Sequence, residues 1–301
     1  MPRAYGRRSE PRDTSGDREH TNDGRTDREN RVHGGTDVTL VLKLGGSVIT
    51  DKTEPETVDD DSLDRATDAI GAHLGTDSAS TTVEGVPAID GGAELVLIHG
   101  AGSFGHYHAD EHGVSTTAGT HDAAGVLAIH DAMERLNGYV LDRLHDRGVP
   151  ALPVGPLSAA ARDAKGTLEL STTVERQLAE GFVPVLYGDV IAREGKGATI
   201  VSGDELVVRL ANRPDADRVG LCSTVPGVLD ADGEVVDRIE SIEAASEYLG
   251  GSEATDVTGG MYGKIDRLLS LRAPASVFGL DELEDFLAGG SPGTIVDRFS
   301  A

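Results

Sequence analysis

Short apolar runs alternate with segments of helical periodicity along most of the chain, and this alternation constrains the fold more than any other sequence feature. The run TLVLKL at 39–44 stops at two glycines, and ELVLI at 94–98 stops before another glycine-rich segment. Continuous apolar runs are typical of strands buried on both faces of a parallel sheet. The pattern predicts strands at 39–44, 94–98, 150–154, 183–187 and 218–223, and helices at 63–74, 121–147, 173–180, 203–212 and 258–272. We therefore predict an α/β protein whose mainly parallel sheet is covered by helices on both faces.

Two segments depart from this alternation. Residues 1–37 contain eight arginines, eight acidic residues and almost no aliphatic side chains, which predicts a disordered tail before a folded region at 38–301. The tail is either a weak interaction arm or the product of an upstream start codon, and the sequence does not decide between them. Residues 75–93 are rich in serine, threonine and glycine, which predicts a surface loop or insertion.

The charge of the chain excludes several classes of partner. Lysine and arginine together number 27 against 52 acidic residues, and the net charge of −25 argues against binding nucleic acid or an anionic membrane. Because no apolar run reaches the roughly 18–20 residues of a spanning helix and no signal sequence is recognisable, we expect a cytoplasmic protein. An acidic surface with only five lysines is typical of adaptation to high salt. Cys222 is the single cysteine, which excludes an internal disulfide and a cysteine-based zinc site.

The end of the first predicted strand has the features of a phosphate-binding segment. Lys43 is followed by Gly45, Gly46 and Ser47, and Lys52 comes shortly after them. A lysine supplies a point charge, glycines let a phosphate approach the backbone N–H groups, and a hydroxyl adds a further donor. A simple Gly-Gly turn beside a lysine that extends to solvent is the alternative.

A second glycine-rich segment, HGAGSFGH at 99–106, follows the second predicted strand. It contains the pattern G-x-G-x-x-G, but a dinucleotide site requires a further strand that ends in an acidic residue about 20 residues on, and here a long helical pattern follows instead. An anion-binding loop fits better, with His106 as an additional donor. The spacing of His106, His108 and His112, with no cysteine nearby, argues against a metal site.

Two further segments begin predicted helices. In SGDE at 202–205, a serine cap and first-turn acids explain the composition, while the functional alternative makes Asp204 an organiser of lysine side chains. In TGGMYGK at 258–264, the glycines can contact phosphate oxygens and Lys264 can reach a transferring phosphoryl group. This second segment is not a P-loop, because Thr258 stands where the first glycine is required and Ile265 follows the lysine.

These segments, in this order, resemble the amino acid kinase family over about residues 38–298. The motifs that carry the resemblance are KLGGS at 43–47, TDK at 50–52, HGAGSFGH at 99–106, GDV at 188–190, SGDE at 202–205 and TGGMxxK at 258–264. The resemblance implies a three-layer αβα sandwich around a central, mainly parallel sheet. It also implies a phosphate-acceptor lobe at about 38–170, an ATP lobe at about 171–301, and a homodimer.

Within the family, the segments ending GSFGH and TGGMYGK resemble those of the archaeal members that phosphorylate isopentenyl phosphate. The implied reaction uses ATP and Mg²⁺ and produces isopentenyl diphosphate for isoprenoid biosynthesis by a mevalonate-type route. The implied catalytic residues are Lys43, Lys52, His106, Asp204 and Lys264; the other implied ATP-binding residues are Gly45, Gly46, Ser47, Gly259, Gly260 and Met261; and the other implied acceptor-binding residues are Ala101, Gly102, Ser103, Gly105, Gly188 and Asp189. No metal ligand is implied on the protein.

One position departs from the family pattern. Thr224 stands before the V-x-G-V turn, where the family commonly has an aspartate, which affects expectations about nucleoside contacts. Two alternative functions stay open at this point. One is a kinase of the same family with an amino acid, nucleotide or phosphonate acceptor, and the other is a non-catalytic member that senses a ligand.

Overall fold

An eight-stranded sheet forms the centre of the computed structural model. The structure describes residues 39–76, 89, 94–212, 216–253 and 260–298, with side chains omitted for 249–253. The strands are β1 Leu40–Leu44, β2 Leu95–His99, β3 Ala151–Pro153, β4 Ala160–Arg162, β5 Leu168–Leu170, β6 Val183–Tyr187, β7 Asp189–Arg193, β8 Gly197–Val201, β9 Arg218–Ser223, β10 Arg238–Ile239, β11 Ala275–Gly279 and β12 Thr294–Val296. The helices are α1 Gly46–Ile49, α2 Asp60–His73, α3 Gly102–Glu111, α4 Ala123–Asp146, α5 Pro156–Ala159, α6 Thr173–Ala179, α7 Gly203–Ala211, α8 Ile242–Glu253, α9 Met261–Leu268 and α10 Leu283–Leu287, and a 3₁₀ turn covers Leu280–Glu282. The predicted tail at 1–37 and most of the predicted loop at 75–93 lie outside the described residues.

The central sheet has the strand order β10-β12-β11-β9-β1-β2-β6-β3. All pairs from β11 to β3 are parallel, and β12 runs antiparallel to β11. The prediction of a mainly parallel sheet is therefore confirmed. Because β1, β2, β6 and β9 are parallel neighbours, the segments that follow them meet at one edge of the sheet, where ligands of such sheets bind.

The side chains of β1 show how the sheet separates two cores. Leu40, Leu42 and Leu44 pack with apolar residues of α2, α4 and α10, whereas Val41 packs with residues of α6, α7, α8 and α9. Because successive side chains of a strand point to opposite faces, Lys43 lies on the same face as Val41. The strand alternation therefore directs the lysine toward α7.

A second, four-stranded sheet of order β5-β4-β7-β8 was not predicted from the sequence. Its strands have only three to five residues, and several of their positions are partly exposed, so they lack the continuous apolar run that identifies the central strands. Strand β7 follows β6 after the single residue Gly188 and pairs antiparallel with β8. This sheet adds a layer beside the carboxyl end of β6.

Most predicted elements are confirmed to within a few residues, with two differences near the glycine-rich segments. The predicted anion-binding loop at 99–106 is mainly helical, because α3 already begins at Gly102, whose φ of +50° lets the chain turn sharply after Ala101. The helix predicted over 258–272 spans Met261–Leu268, with Gly260 immediately before it. Of the described helices, none has the length and apolar character that crossing a membrane requires.

Candidate active site

Two glycine-rich turns contact each other through their backbones at the carboxyl edge of the central sheet. A β-carbon added to Gly46 would lie 2.1 Å from the backbone nitrogen of Gly102, and one added to Gly100 would lie 2.4 Å from the backbone nitrogen of Gly46. Gly45 donates its backbone N–H to the carbonyl of Cys222 at 2.8 Å, which joins the turn to the end of β9. Side chains are sterically excluded here, so the turns after β1 and β2 form a closely packed floor of partly buried main chain.

Lys43 and Asp204 form an ion pair beside this floor. The two side chains are only 11% and 14% exposed, and the lysine ammonium donates to Oδ1 of the aspartate. The lysine stem lies against the start of α7, where a β-carbon added to Gly203 would be 3.0 Å from Lys43 Cε. The pair therefore connects the central strand β1 to the first turn of α7.

The first turn of α7 is fixed by a capping box. Ser202 Oγ accepts the backbone N–H of Glu205 at 3.2 Å, and Glu205 Oε2 accepts the backbone N–H of Ser202 at 3.0 Å. Arg162 of the second sheet donates to both carboxylate oxygens of Glu205 at 2.9 and 3.0 Å. Both interpretations of SGDE thus describe this segment: serine and glutamate cap the helix, and Asp204 organises a lysine.

The lysines of two other segments act electrostatically on the same carboxylate. Burial alone would raise the pKa of Asp204, but the positive charges of Lys43 and Lys264 outweigh burial and hold the pKa below its usual value. Burial lowers the pKa of Lys264, Asp204 partly opposes this shift, and the charges of Lys43 and Lys52 lower the pKa of Lys264 further. Lys43 and Lys264 act on Asp204, and Lys52 acts on Lys264, so positive charge exceeds the charge of this one carboxylate, as binding a polyphosphate requires.

A cleft of about 630 Å³ adjoins the exposed Lys52. Its lining residues are Ser47, Thr50, Asp51, Lys52, Val58, Asp59, Asp60, Asp61 and Thr224. Ser47 and Lys52 therefore line the same space, together with four aspartates. Thr224, at the position where the family commonly has aspartate, directly follows β9, the parallel neighbour of β1, and lines this cleft too.

The predicted acceptor-binding residues are distributed between the floor and the packing beneath it. The hydroxyl oxygen of Ser103 accepts a hydrogen bond from the backbone N–H of Thr57 at 3.3 Å. The backbone N–H of Ser103 donates to Thr50 Oγ1 at 3.0 Å. A β-carbon on Gly105 would lie 2.6 Å from Met133 Sδ, so this glycine allows close packing of α3 on α4. His106 is exposed on α3, one turn after Gly102.

Gly188 and Asp189 join the end of β6 to the second sheet. Gly188 donates its N–H to the carbonyl of His99 at 3.2 Å. Asp189 is 1% exposed and accepts from His130 Nδ1 at 2.8 Å and from the backbone N–H groups of Val190 and Leu157 at 2.7 and 3.3 Å. Its carboxylate is thus surrounded by protein donors. Of the predicted site residues, Gly259 lies outside the described residues, while Gly260 and Met261 form the start of α9.

His99 is a site residue that the sequence analysis did not single out. It ends β2, is fully buried, and stacks on Tyr187 with ring centroids 5.4 Å apart. Its ring nitrogens lie 3.1 Å from the carbonyl of Gly100 and 3.2 Å from Asn137 Oδ1. Burial lowers the pKa of His99 to about 4. The neutral imidazole therefore packs beneath the turn at 100–102 and contacts the carbonyl of Gly100.

This buried histidine predicts a specific dependence of stability on pH. The unfolded chain takes up a proton at His99 near pH 6.5, whereas the folded chain does so only near pH 4, so stability falls as the pH drops through this interval. The expected loss is about 3 kcal/mol in the free energy of unfolding, with no further loss from this group at lower pH. Denaturant unfolding at a series of pH values measures it. His99→Gln should flatten the slope between pH 6.5 and 4, and an unchanged slope in that variant would contradict the assignment.

The sequence and fold of this chain are similar to those of known kinases. The model of the amino acid kinase family matches residues 38–272. The chain is 58% identical over 258 residues to isopentenyl phosphate kinase of Haloferax volcanii, covering 85% of this chain and 98% of that protein. It is 32% identical over 267 residues to isopentenyl phosphate kinase of Methanocaldococcus jannaschii, with 85% and 98% covered. An X-ray structure of an isopentenyl phosphate kinase superposes with a TM-score of 0.68 at 27% identity, covering 85% of this chain and 98% of that one.

Proposed function

The chain belongs to the amino acid kinase family, and we propose that it is the enzyme that transfers the γ-phosphoryl group of ATP to isopentenyl phosphate, producing isopentenyl diphosphate and ADP. One observation carries the proposal: the ion pair of Lys43 and Asp204, with Lys264 in electrostatic reach, stands beside a floor of glycine main chain. The identity of 58% to the Haloferax volcanii isopentenyl phosphate kinase, over nearly all of that protein, supports the choice of acceptor.

The chemistry of the acceptor explains why lysines dominate this site. A phosphate monoester has a second pKa near 6 and is already a dianion at neutral pH, so its oxygen attacks without a strong general base. The obstacle is repulsion between two polyanions, which positive charges and in-line placement relieve. In the proposal, Lys43, Lys52 and Lys264 neutralise the transferring phosphoryl group, Asp204 holds the lysines in place, and His106 donates to the acceptor phosphate.

The glycine segments supply the remaining donors. Gly45, Gly46 and Ser47, together with Gly259, Gly260 and Met261, are assigned to the phosphates of ATP through backbone N–H groups and a hydroxyl. The segment from Ala101 to Gly105 is assigned to the acceptor phosphate, with Ser103 shaping the loop that carries Lys52. Gly188 and Asp189 bound the acceptor side, and the apolar tail is placed against α4.

Mg²⁺ enters this proposal as part of the substrate. Bound together with ATP, Mg²⁺ would neutralise negative charge that develops on the phosphates during transfer. Within the part of the chain that the structure describes, no three His, Cys, Asp or Glu side chains are grouped to hold a metal. Asp204 is committed to Lys43, and we assign no protein ligand to the ion.

The proposal extends to the setting of the enzyme. We place the acceptor lobe at about 38–170 and the ATP lobe at about 171–301, in a homodimer. The net charge of −25, with only five lysines, supports a salt-adapted enzyme, and we place this enzyme in the cytoplasm. Its product belongs to isoprenoid biosynthesis, and we assign it to a mevalonate-type route.

A coupled ADP-release assay at high KCl tests the proposed reaction. The acceptors are isopentenyl phosphate, dimethylallyl phosphate, N-acetylglutamate, UMP and fosfomycin, each with Mg·ATP. We expect turnover confined to the two isoprenoid phosphates. Turnover of another acceptor would move the acceptor assignment within the family, and no turnover by folded protein would favour a ligand-sensing role.

Replacing His106 with alanine should impair acceptor use specifically. Because hydrogen bonds to charged groups contribute about 1.5–3 kcal/mol, we expect kcat/KM for isopentenyl phosphate to fall roughly 10- to 100-fold while KM for ATP stays within about threefold. Steady-state kinetics with each substrate varied in turn separates the two effects. His121→Ala, an exposed histidine outside the glycine turns, is the control. Normal kcat/KM for isopentenyl phosphate in the His106 variant would remove this residue from the site.

A further inference from the structure

The segment 51–58, which carries Lys52, leaves the end of α1 and returns to the start of α2. Thr50 and Val58 form an antiparallel bridge that closes it, and Asp51 donates its backbone N–H to the carbonyl of Thr57 at 3.0 Å. Lys52 lies exposed within it. The ammonium group of a lysine on such a loop has a fixed position only if contacts hold the loop against the rest of the protein.

Glu56 fixes this segment through both of its carboxylate oxygens. Oε1 lies 2.5 Å from His108 Nε2 on α3, and Oε2 accepts from Arg135 Nη2 on α4 at 2.7 Å. The backbone N–H of Glu56 donates to the carbonyl of Ser103 on α3 at 3.2 Å. A single residue therefore connects the Lys52 segment to two helices at three points.

The backbone at Glu56 is strained. Its φ is +52°, and among the described residues it is the single non-glycine residue with a positive φ. Side chains other than glycine resist this left-handed region, so the conformation persists only where surrounding contacts enforce it. Glycine would adopt the turn freely, but it would lack the carboxylate that reaches His108 and Arg135. The hydrogen bonds of the Glu56 carboxylate, which glycine could not make, therefore offset the backbone strain at this position.

The contacts of Glu56 lead directly to the acceptor side of the proposed site. His108 lies two residues after His106 on α3, and Ser103, in the first turn of the same helix, also contacts Thr57 through its hydroxyl. Hydrogen bonding to His108 is the main cause that lowers the pKa of Glu56 below its usual value, so the residue is a carboxylate at neutral pH. The contacts of Glu56 thus fix the segment that carries Lys52 relative to the helix that carries His106.

We infer that Glu56 is a positioning residue for phosphoryl transfer, whose carboxylate fixes the Lys52 segment to α3 and α4 and so sets the position of Lys52 relative to the bound acceptor. This inference rests on the proposed function. Glu56 acts through Lys52 and does not itself touch the reacting atoms.

A double-mutant cycle between Glu56 and Lys52 tests it. Glu56→Gln should lower kcat about tenfold in the otherwise unchanged protein, but less than twofold in a Lys52→Ala background, because the group that it positions is then absent. Glu111→Gln is the matched control, since its carboxylate also faces His108, at 3.6 Å, but does not touch the segment. An equal loss in both backgrounds, or no loss in either, would overturn the inference.

Hydrogen exchange provides a readout that needs no turnover, so failure of the inference is distinguishable from failure of the proposed reaction. In Glu56→Gln the hydrogen-bonded backbone amides of Asp51, Glu56 and Thr57 should exchange about tenfold faster than in the unchanged protein and in Glu111→Gln. Glu56→Gly, which permits the turn but removes the side chain, should show the same increase. Unchanged exchange in both Glu56 variants would contradict the inference even if isopentenyl phosphate is the acceptor.

Discussion

Alanine at position 264 is expected to lower kcat about 10³-fold, corresponding to roughly 4 kcal/mol of transition-state stabilisation, with little change in the fold. The side chain of Lys264 is partly buried, and its pKa is lowered chiefly by burial and partly restored by Asp204. Charge placed in such a low-dielectric site acts more strongly on a developing phosphoryl charge than charge in water. Because the folded protein gains little from an ammonium that burial disfavours, its removal should cost activity far more than stability.

Two variants separate the charge from the side chain. Lys264→Met keeps an unbranched apolar stem and removes the ammonium, so it should lose as much kcat as the alanine variant. Lys165→Ala removes an exposed lysine outside the site and should retain normal activity. Steady-state kinetics and thermal melting of all three variants check the expectation. An unchanged kcat in Lys264→Ala would exclude the residue from phosphoryl transfer.

The sequence predicts most of the central sheet because its strands are encoded by local pattern. The apolar runs at β6 and β9 match the predicted bounds, and α4 lies two residues inside its predicted start. The scarcity of lysine also draws attention to three segments that the fold brings together, since the charges of Lys43 and Lys52 both act on Lys264. Local pattern and rare residue types are thus enough to locate the segments of this candidate site.

Contacts between distant segments are what the sequence does not predict. His130 reaches Asp189 across 59 positions and Glu56 reaches Arg135 across 79, and neither pair has a periodic or motif signal. The start of α7 shows the same limit, because Ser202 and Glu205 explain the helix start locally while the partner of Asp204 lies 161 positions away on β1. The composition of this segment is explained by helix capping alone. In the structure, the first turn of α7 both caps the helix and pairs Asp204 with Lys43.

Replacing Asp204 with asparagine should damage both stability and activity. The side chain of Lys43 is 11% exposed and pairs with this carboxylate, so the substitution leaves a buried ammonium without its counter-charge. Breaking a buried pair in this way costs about 3–5 kcal/mol, which for a domain of this size corresponds to a decrease in melting temperature of roughly 6–20 °C. Asp232→Asn, at an exposed position, is the control and should melt normally.

The activity of Asp204→Asn should also change its dependence on pH. Asp204 raises the pKa of Lys264 against burial, so without the carboxylate this pKa falls further and Lys264 loses its proton at lower pH. The alkaline limb of kcat should therefore move to lower pH, on top of an expected decrease in kcat of about 10²–10³-fold at neutral pH. The double variant Asp204→Asn/Lys264→Met tests whether Lys264 is the group that titrates in the alkaline limb of kcat. If it is, the shift of this limb seen in Asp204→Asn disappears in the double variant. A limb that stays in place in Asp204→Asn would mean that Asp204 pairs with Lys43 without controlling the protonation of Lys264.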